Sequence, residues 1–216
     1  MTGGCRCLSR DGVSKMTGHD WFDRFVDAGP GYDGVRMSLA ELQTLLLKAG
    51  IGAGLPLGHA EDFSGLAKLL ASDPQLFAMA VAALDGPHHP ARVEGTDAHV
   101  VIERACVLMA GPVVIDALLA GATRVILHRI DWPLLLWPML ARAEQVYDVR
   151  FGLVSGAKGS VTVEIAERGM LDRFGDMQPV PVQILEKLKA FAARTYVPAS
   201  AASREAGAGA GLSDND

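Results

Sequence analysis

The residues of this chain that could do chemistry fall in three places. The densest is the stretch from His88-His89 to His99, which also carries Glu94 and Asp97. If Asp97 and His99 open a strand, alternation turns both to one side. With His89 they make a two-histidine, one-carboxylate set of the kind that holds a divalent metal. The spacing matches no established metal motif, and an exposed histidine-rich loop accounts for the same residues. The second place is the string Gly52-Ala53-Gly54-Leu55-Pro56-Leu57-Gly58-His59-Ala60-Glu61-Asp62. Gly54 and Gly58 stand before a helix start whose free amides suit an anionic small molecule. His59 and Asp62, three apart, share a helix face and with Glu61 could form an acid/base pair tuned near neutral pH. A dinucleotide fingerprint requires a preceding strand, whereas here a helix precedes. A helix stop followed by a helix start, with His59 packed on Phe63, explains the string equally. The third place is His128, Arg129 and Asp131, at what reads as the carboxyl end of a strand, where open α/β sheets tend to bind ligands. His128 and Asp131 are the catalytic candidates there. His128 also alternates with Ile126 and Ile130 as a sheet histidine would, and Asp131 also suits a helix cap.

The other reactive types are weaker. Cys106 lies in an apolar run and reads as a core thiol. Cys5 and Cys7 form a C-x-C pair without a second pair to complete a zinc site. Ser155 to Ser160 has the wrong residue order for a phosphate loop and reads as a hairpin tip. Nothing resembles a nucleophile elbow or a catalytic cysteine set. A divalent metal is therefore left open as a cofactor, but none is expected.

These residues depend on elements that the hydrophobic periodicity outlines. Ser38-Leu39-Ala40-Glu41 is a capping box, with Met37 placed as a hydrophobic staple on Leu42. It opens a helix from Leu39 to about Ala49, which Gly50 and the Gly52–Gly54 stretch stop. A second helix starts near Pro56 with the stripe His59, Phe63, Leu66 and Leu70. A third starts at Ser72-Asp73-Pro74, turns Leu76, Phe77, Ala80 and Leu84 inward, and stops at Asp85-Gly86-Pro87. The period then changes. Thr96 to Glu103 is a candidate strand, Pro112 to Ala120 a short helix, and Arg124 to Ile130 a buried strand. Trp132 to Tyr147 is mainly helix, capped by Asp131 and kinked or restarted at Pro138. Val149–Val154 and Val161–Ala166 read as a hairpin. Strand, helix and strand from Arg124 to Val154 imply a right-handed parallel crossover with an antiparallel addition. Pro181 starts a last helix with Ile184, Leu185, Leu188 and Phe191 inward. The expected fold class is α/β, with α+β as the alternative: an N-terminal three-helix segment, then a small mixed sheet with crossover helices and a C-terminal helix.

Met37-Ser38-Leu39-Ala40-Glu41, the Gly-Ala-Gly-Leu-Pro-Leu-Gly string with its acidic pair, and Asp131-Trp132-Pro133-Leu134-Leu135-Leu136 together resemble a bacterial family known as domain of unknown function 3726. Its members open with a Ser-Leu-x-Glu helix, then Gly-Ala-Gly-Leu/Tyr-Pro-x-Gly and two acidic residues. The likeness covers about 37 to 170, and the long leader of this chain departs from it. The resemblance implies a bacterial cytoplasmic protein and transfers no activity.

The chain has 216 residues, 50% hydrophobic and 21% charged, enough for one domain with a substantial core. Residues 1–36 read as a poorly ordered leader, with Met16 or Met37 as alternative starts, although Trp21, Phe22 and Phe25 could line a short helix. Residues 37–197 read as a single globular domain and 198–216 as a disordered Ser/Ala/Gly-rich tail. The net charge of −5 without a basic stripe argues against nucleic acid as a partner. The apolar stretch from Val100 to Leu140 is broken by Glu103, Arg104, Asp116, Arg124, Arg129 and Asp131, too short in each piece for a membrane span. No signal-peptide core is visible, so a cytoplasmic location is expected. Two functions stand side by side. One is an accessory or regulatory subunit, or a small-molecule-binding module, in a bacterial metabolic pathway. It is supported by a full core without a concentrated catalytic set and by Trp132 and Trp137 as a contact surface for a homo-oligomer or partner enzyme. The other is a small metal-assisted hydrolase or lyase using histidines of the 88–99 loop or His128. Whether the chain is an enzyme stays open.

Overall fold

A computed structural model describes residues 34–156, 159–169 and 171–195. Cys5, Cys7, the residues around Trp21 read as a possible short helix, the residue 198–216 tail and most of the leader lie outside the described residues. Gly34 and Val35, at the end of the leader, form β1 (Gly34–Val35) and pair antiparallel with β7 (Val180–Pro181).

Four helical segments open the domain: α1 (Leu39–Gly52), α2 (Leu57–Gly65), α3 (Ala67–Ala71) and α4 (Pro74–Leu84). The capping box at α1 is formed as the spacing requires. Glu41 Oε2 accepts from the Ser38 N–H at 2.9 Å, and Ser38 Oγ accepts from the Glu41 N–H at 3.3 Å. α1 runs through Gly50 and ends on Ala53, because one glycine lowers helix propensity without ending a helix that packs well. The expected second helix is broken at Leu66 into α2 and α3, yet Phe63, Leu66 and Leu70 are all buried as its stripe predicts. Asp73 caps α4, accepting from the N–H groups of Gln75 and Leu76, with Pro74 in the first turn.

The second half builds a five-stranded mixed sheet, β2 (Arg92–Thr96), β3 (His99–Glu103), β4 (Arg124–His128), β5 (Phe151–Ser155) and β6 (Val161–Ile165), in the order β2-β3-β4-β6-β5. The single strand expected over Thr96–Glu103 is instead the inner arm of the β2–β3 hairpin, which turns at Asp97-Ala98. The parallel pair is β3 with β4, joined by α5 (Val107–Leu119); β6 separates β4 from β5. The expected crossover through α6 (Leu136–Tyr147) therefore skips one position. α5 begins five residues before Pro112, which sits inside it and leaves the Leu108 carbonyl without its usual donor. Asp131 does not cap the following helix. Trp132, in the left-handed region at φ 60°, precedes a short 3-10 turn at Pro133–Leu135, and α6 follows directly. Pro138 then falls in the first turn of α6, where no N–H is needed.

Both crossovers progress in the same direction across the sheet, so their common hand puts α5 and α6 on one face. Val100, Ile102, Val125, Leu127, Val161 and Val163 are buried on that side. On the other, His99, Val101, Glu103, Arg124, Ile126 and His128 are exposed or half-buried. α7 (Val182–Ala193) closes the fold against α1, with Ile184, Leu185, Leu188 and Phe191 buried. The protein is thus a mixed α/β fold. Among the described residues no helix is long and apolar enough to cross a membrane.

Candidate ligand-binding cleft

α2, α5 and α6 pack side by side, and where their polar faces meet they leave a cleft of about 280 Å³. On α2, Ala60 and Phe63 turn to the core, which directs Glu61 and Asp62 outward into the cleft. On α5, Asp116 lies between the buried Val114 and Leu118 and faces α2. On α6, Arg142 lies between the buried Ala141 and Ala143 and reaches over Gly65. A Cβ at Gly65 would stand 3.3 Å from Arg142 Nε, so the missing side chain lets the guanidinium approach α2 closely. Met139, Ile115 and Leu66 supply apolar wall, and Tyr147 stands at the end of α6.

Three carboxylates therefore share one cleft with a single guanidinium. Partial burial of the Asp62 carboxyl pushes its pKa above the ordinary aspartate value; the positive charge of His59 opposes the rise, and Asp116 and Glu61 add to it. An acid whose ionised form is disfavoured by confinement and by like charge gains when a cation arrives. Apolar wall on the remaining surface suits a ligand body that carries such a cation. The carboxylates do not form a metal cage: among the described residues no group of three or more His, Cys, Asp or Glu could hold an ion.

Of the site candidates singled out in the sequence, Asp62 and its neighbour Glu61 line this cleft, with His59 close enough to act on the charge of Asp62. Gly54, at φ 95°, donates its N–H to the Ile51 carbonyl at 2.9 Å, and its conformation is that of a helix stop. Gly54 is exposed between α1 and α2, Gly58 is exposed in the first turn of α2, and neither lines the cleft.

His89, Asp97 and His99 are not brought together as a metal set. His89 lies in the exposed link before β2, Asp97 is in the hairpin turn, and His99 opens β3 with Nε2 3.3 Å from the Arg124 guanidinium. His128 is half-buried on the open sheet face opposite Glu103, whose carboxylate takes a 2.7 Å ion pair from Arg129. That hydrogen bond holds Glu103 below the ordinary glutamate range. Asp131 is exposed and makes an isolated parallel rung with Cys106, its N–H donating to the Ala105 carbonyl. Arg104 and Arg129 both take left-handed backbone (φ 45° and 52°) just beyond the strand ends. Cys106 is buried, and that burial pushes its thiol pKa up, as befits a core thiol. Trp132 and Trp137 are half-buried. Arg173 lies over the Trp137 ring, 4.0 Å from its centre, and Leu135 and Leu136 are core residues.

Sequence reasoning passed over Asp116, Arg142 and Glu144. Asp116 carried a signal, since it is an isolated charge in an otherwise apolar helical run. Glu144 stands four and eight residues after Leu140 and Leu136, on the buried stripe of α6. It is 2% exposed and accepts from the N–H groups of Phe151 (3.0 Å) and Leu171 (3.1 Å), tying the edge of the sheet, and the return segment that leads from Leu171 to β7, to the helix.

No family model and no curated protein matches the chain. Among solved structures it is similar to the crystal structure of malate dehydrogenase from Entamoeba histolytica, at 11% identity and a TM-score of 0.33, over 45% of this chain and 32% of that one. The likeness spans about a third of that enzyme's length and is too slight to carry any argument about fold or function.

Proposed function

We propose that the chain is a small-molecule-binding module whose ligand carries a cationic nitrogen on an apolar body and seats in the cleft between α2, α5 and α6. The observation that carries this is the convergence of Glu61, Asp62 and Asp116 on one partly apolar cleft, with Asp62 already strained against ionisation. A bound ammonium or amidinium group would be held by Asp62 and Asp116 from opposite helices, while Met139 and Ile115 cover the hydrocarbon part. Arg142 would orient an acceptor on the same ligand. In this reading the module serves a metabolic enzyme in the cytoplasm as an accessory or regulatory subunit. Membership of the bacterial family known as domain of unknown function 3726 is likewise a proposal, resting on the strings at 37–41, 52–62 and 131–136.

The test is calorimetric titration with primary alkylamines and diamines of increasing chain length, with the matching carboxylates as controls. Amines are expected to bind, to bind more tightly with a longer apolar tail, and to weaken at least tenfold in Asp116→Asn. Because the cation favours ionised Asp62, binding should release protons and strengthen as pH rises through the raised Asp62 pKa. Equal or better binding of the carboxylates would overturn the reading.

A further inference from the structure

We infer that two copies of this chain pair through the free edge of β5, which continues the five-stranded sheet from one copy into the next. The two edges of the sheet differ in a way that bears on association. β2 is guarded by Arg92 and Glu94, an ion pair at 3.0 Å on an exposed strand, the kind of charge that discourages edge-to-edge pairing. β5, Phe151-Gly152-Leu153-Val154-Ser155, carries no charge, and Val154 is 53% exposed.

The register shows which backbone groups are spent. The Ala166 N–H donates to the Arg150 carbonyl, and the Gly156 N–H donates to the Ser160 carbonyl, both at 2.8 Å. Residues of that parity turn their backbone toward β6, so Phe151, Leu153 and Ser155 turn theirs outward. Glu144 takes the Phe151 N–H. No hydrogen bond among the described residues reaches the outward groups of Leu153 or Ser155. Half of this edge is therefore closed by a buried carboxylate, and the other half presents alternating donors and acceptors at the spacing of a strand.

A second copy suits this edge because the strand is its own antiparallel complement. With Leu153 of one copy opposite Ser155 of the other, both hydrogen-bonded pairs form at once about a two-fold axis. Val154 then meets Val154 of the second copy at the non-hydrogen-bonded site between them, where Cα atoms approach to about 4.5 Å. No like charges face each other there. The same operation on β2 centred on Glu94 would oppose two glutamates.

Sedimentation equilibrium at roughly 100 µM, a concentration that populates even a weak dimer, should give twice the chain mass. Ser155→Pro should weaken association at least tenfold and leave the fold intact. The Ser155 N–H points away from β6, so proline removes no bond within the chain. In a background with Cys5 and Cys7 changed to serine, Val154→Cys should form a disulfide-linked dimer on mild oxidation, whereas Ser155→Cys should not. A chain that stays monomeric overturns the inference and leaves the edge to a strand of another protein or to solvent. A dimer that survives Ser155→Pro, or that fails to cross-link through position 154, places the contact elsewhere and also overturns it. Neither result touches the ligand cleft, which is built from other elements.

Discussion

Replacing Glu144 by alanine is expected to remove a large part of the stability of this fold while leaving its secondary structure content near normal. The carboxylate is almost wholly buried, and its two oxygens accept separate backbone N–H groups, from Phe151 on β5 and from Leu171 on the return segment. A hydrogen bond to a charged group contributes about 1.5–3 kcal/mol, and each donor left unsatisfied in a dry site costs about 1–3 kcal/mol. Relief of the desolvation of the buried carboxylate offsets part of this, so the net loss is expected near 3–5 kcal/mol. That is at least about a fifth of the roughly 5–15 kcal/mol that holds a typical domain together. It corresponds to about 2–4 °C in Tm per kcal/mol for a domain of this size. Glu144→Gln keeps one acceptor and opposes an N–H₂ group to the other donor, so it should lose roughly 2 kcal/mol. Urea unfolding followed by circular dichroism gives both numbers, and hydrogen exchange at the Phe151 and Leu171 amides gives the local effect. Those two amides should exchange faster in the alanine variant than their neighbours on β6. A loss below about 1 kcal/mol, or exchange that rises uniformly through the sheet, would refute the assignment of Glu144 as the tie between α6, β5 and the return segment.

Two further outcomes follow from the packing and the charges. Asp62 has a raised pKa in the folded chain, so its contribution to stability is fully present below the ordinary aspartate pKa and is lost as pH rises through the raised value. Asp62→Asn should accordingly raise Tm at neutral pH, with the gain shrinking to nothing in acid; a Tm difference independent of pH would contradict this. Gly52→Ala and Gly111→Ala should separate, although both glycines are helical. A Cβ at Gly52 would collide with the Phe191 carbonyl where α1 crosses α7, whereas at Gly111 it would meet only the flexible end of Met139. The first should cost several kcal/mol and the second about 1–2 kcal/mol by chemical denaturation, and equal costs would show that the α1–α7 crossing can relax.

What could be read from the chain was what local chemistry controls. Ser38 and Glu41 satisfy each other's amides within one turn, so the start of α1 is written in four residues. The same holds for Asp73-Pro74 at α4 and for the inward stripe of α7, where caps and a 3.6-residue period are properties of neighbouring residues. The hairpin of β5 and β6 was also visible, since its arms are adjacent and its turn is short. Pro112 was misleading because the tertiary burial of Val107, Leu108 and Ala110 outweighs the one hydrogen bond that the proline removes. The partner of β4 could not be read either. β3 and β6 offer it similar alternation from opposite directions along the chain, and only the closed fold decides that both lie beside it.

The sequence by itself determined the mixed α/β class, most of the longer elements and the capped starts of α1 and α4. Each of these depends on contacts within a few residues. Tertiary structure alone decided that Asp62 faces Asp116 and Arg142 across a cleft, that His89, Asp97 and His99 do not assemble, and that Glu144 belongs to the interior. Those outcomes depend on how α2, α5 and α6 are rotated against one another. That rotation is set by the summed packing of many apolar side chains distant in sequence, so no local pattern of charged residues records it.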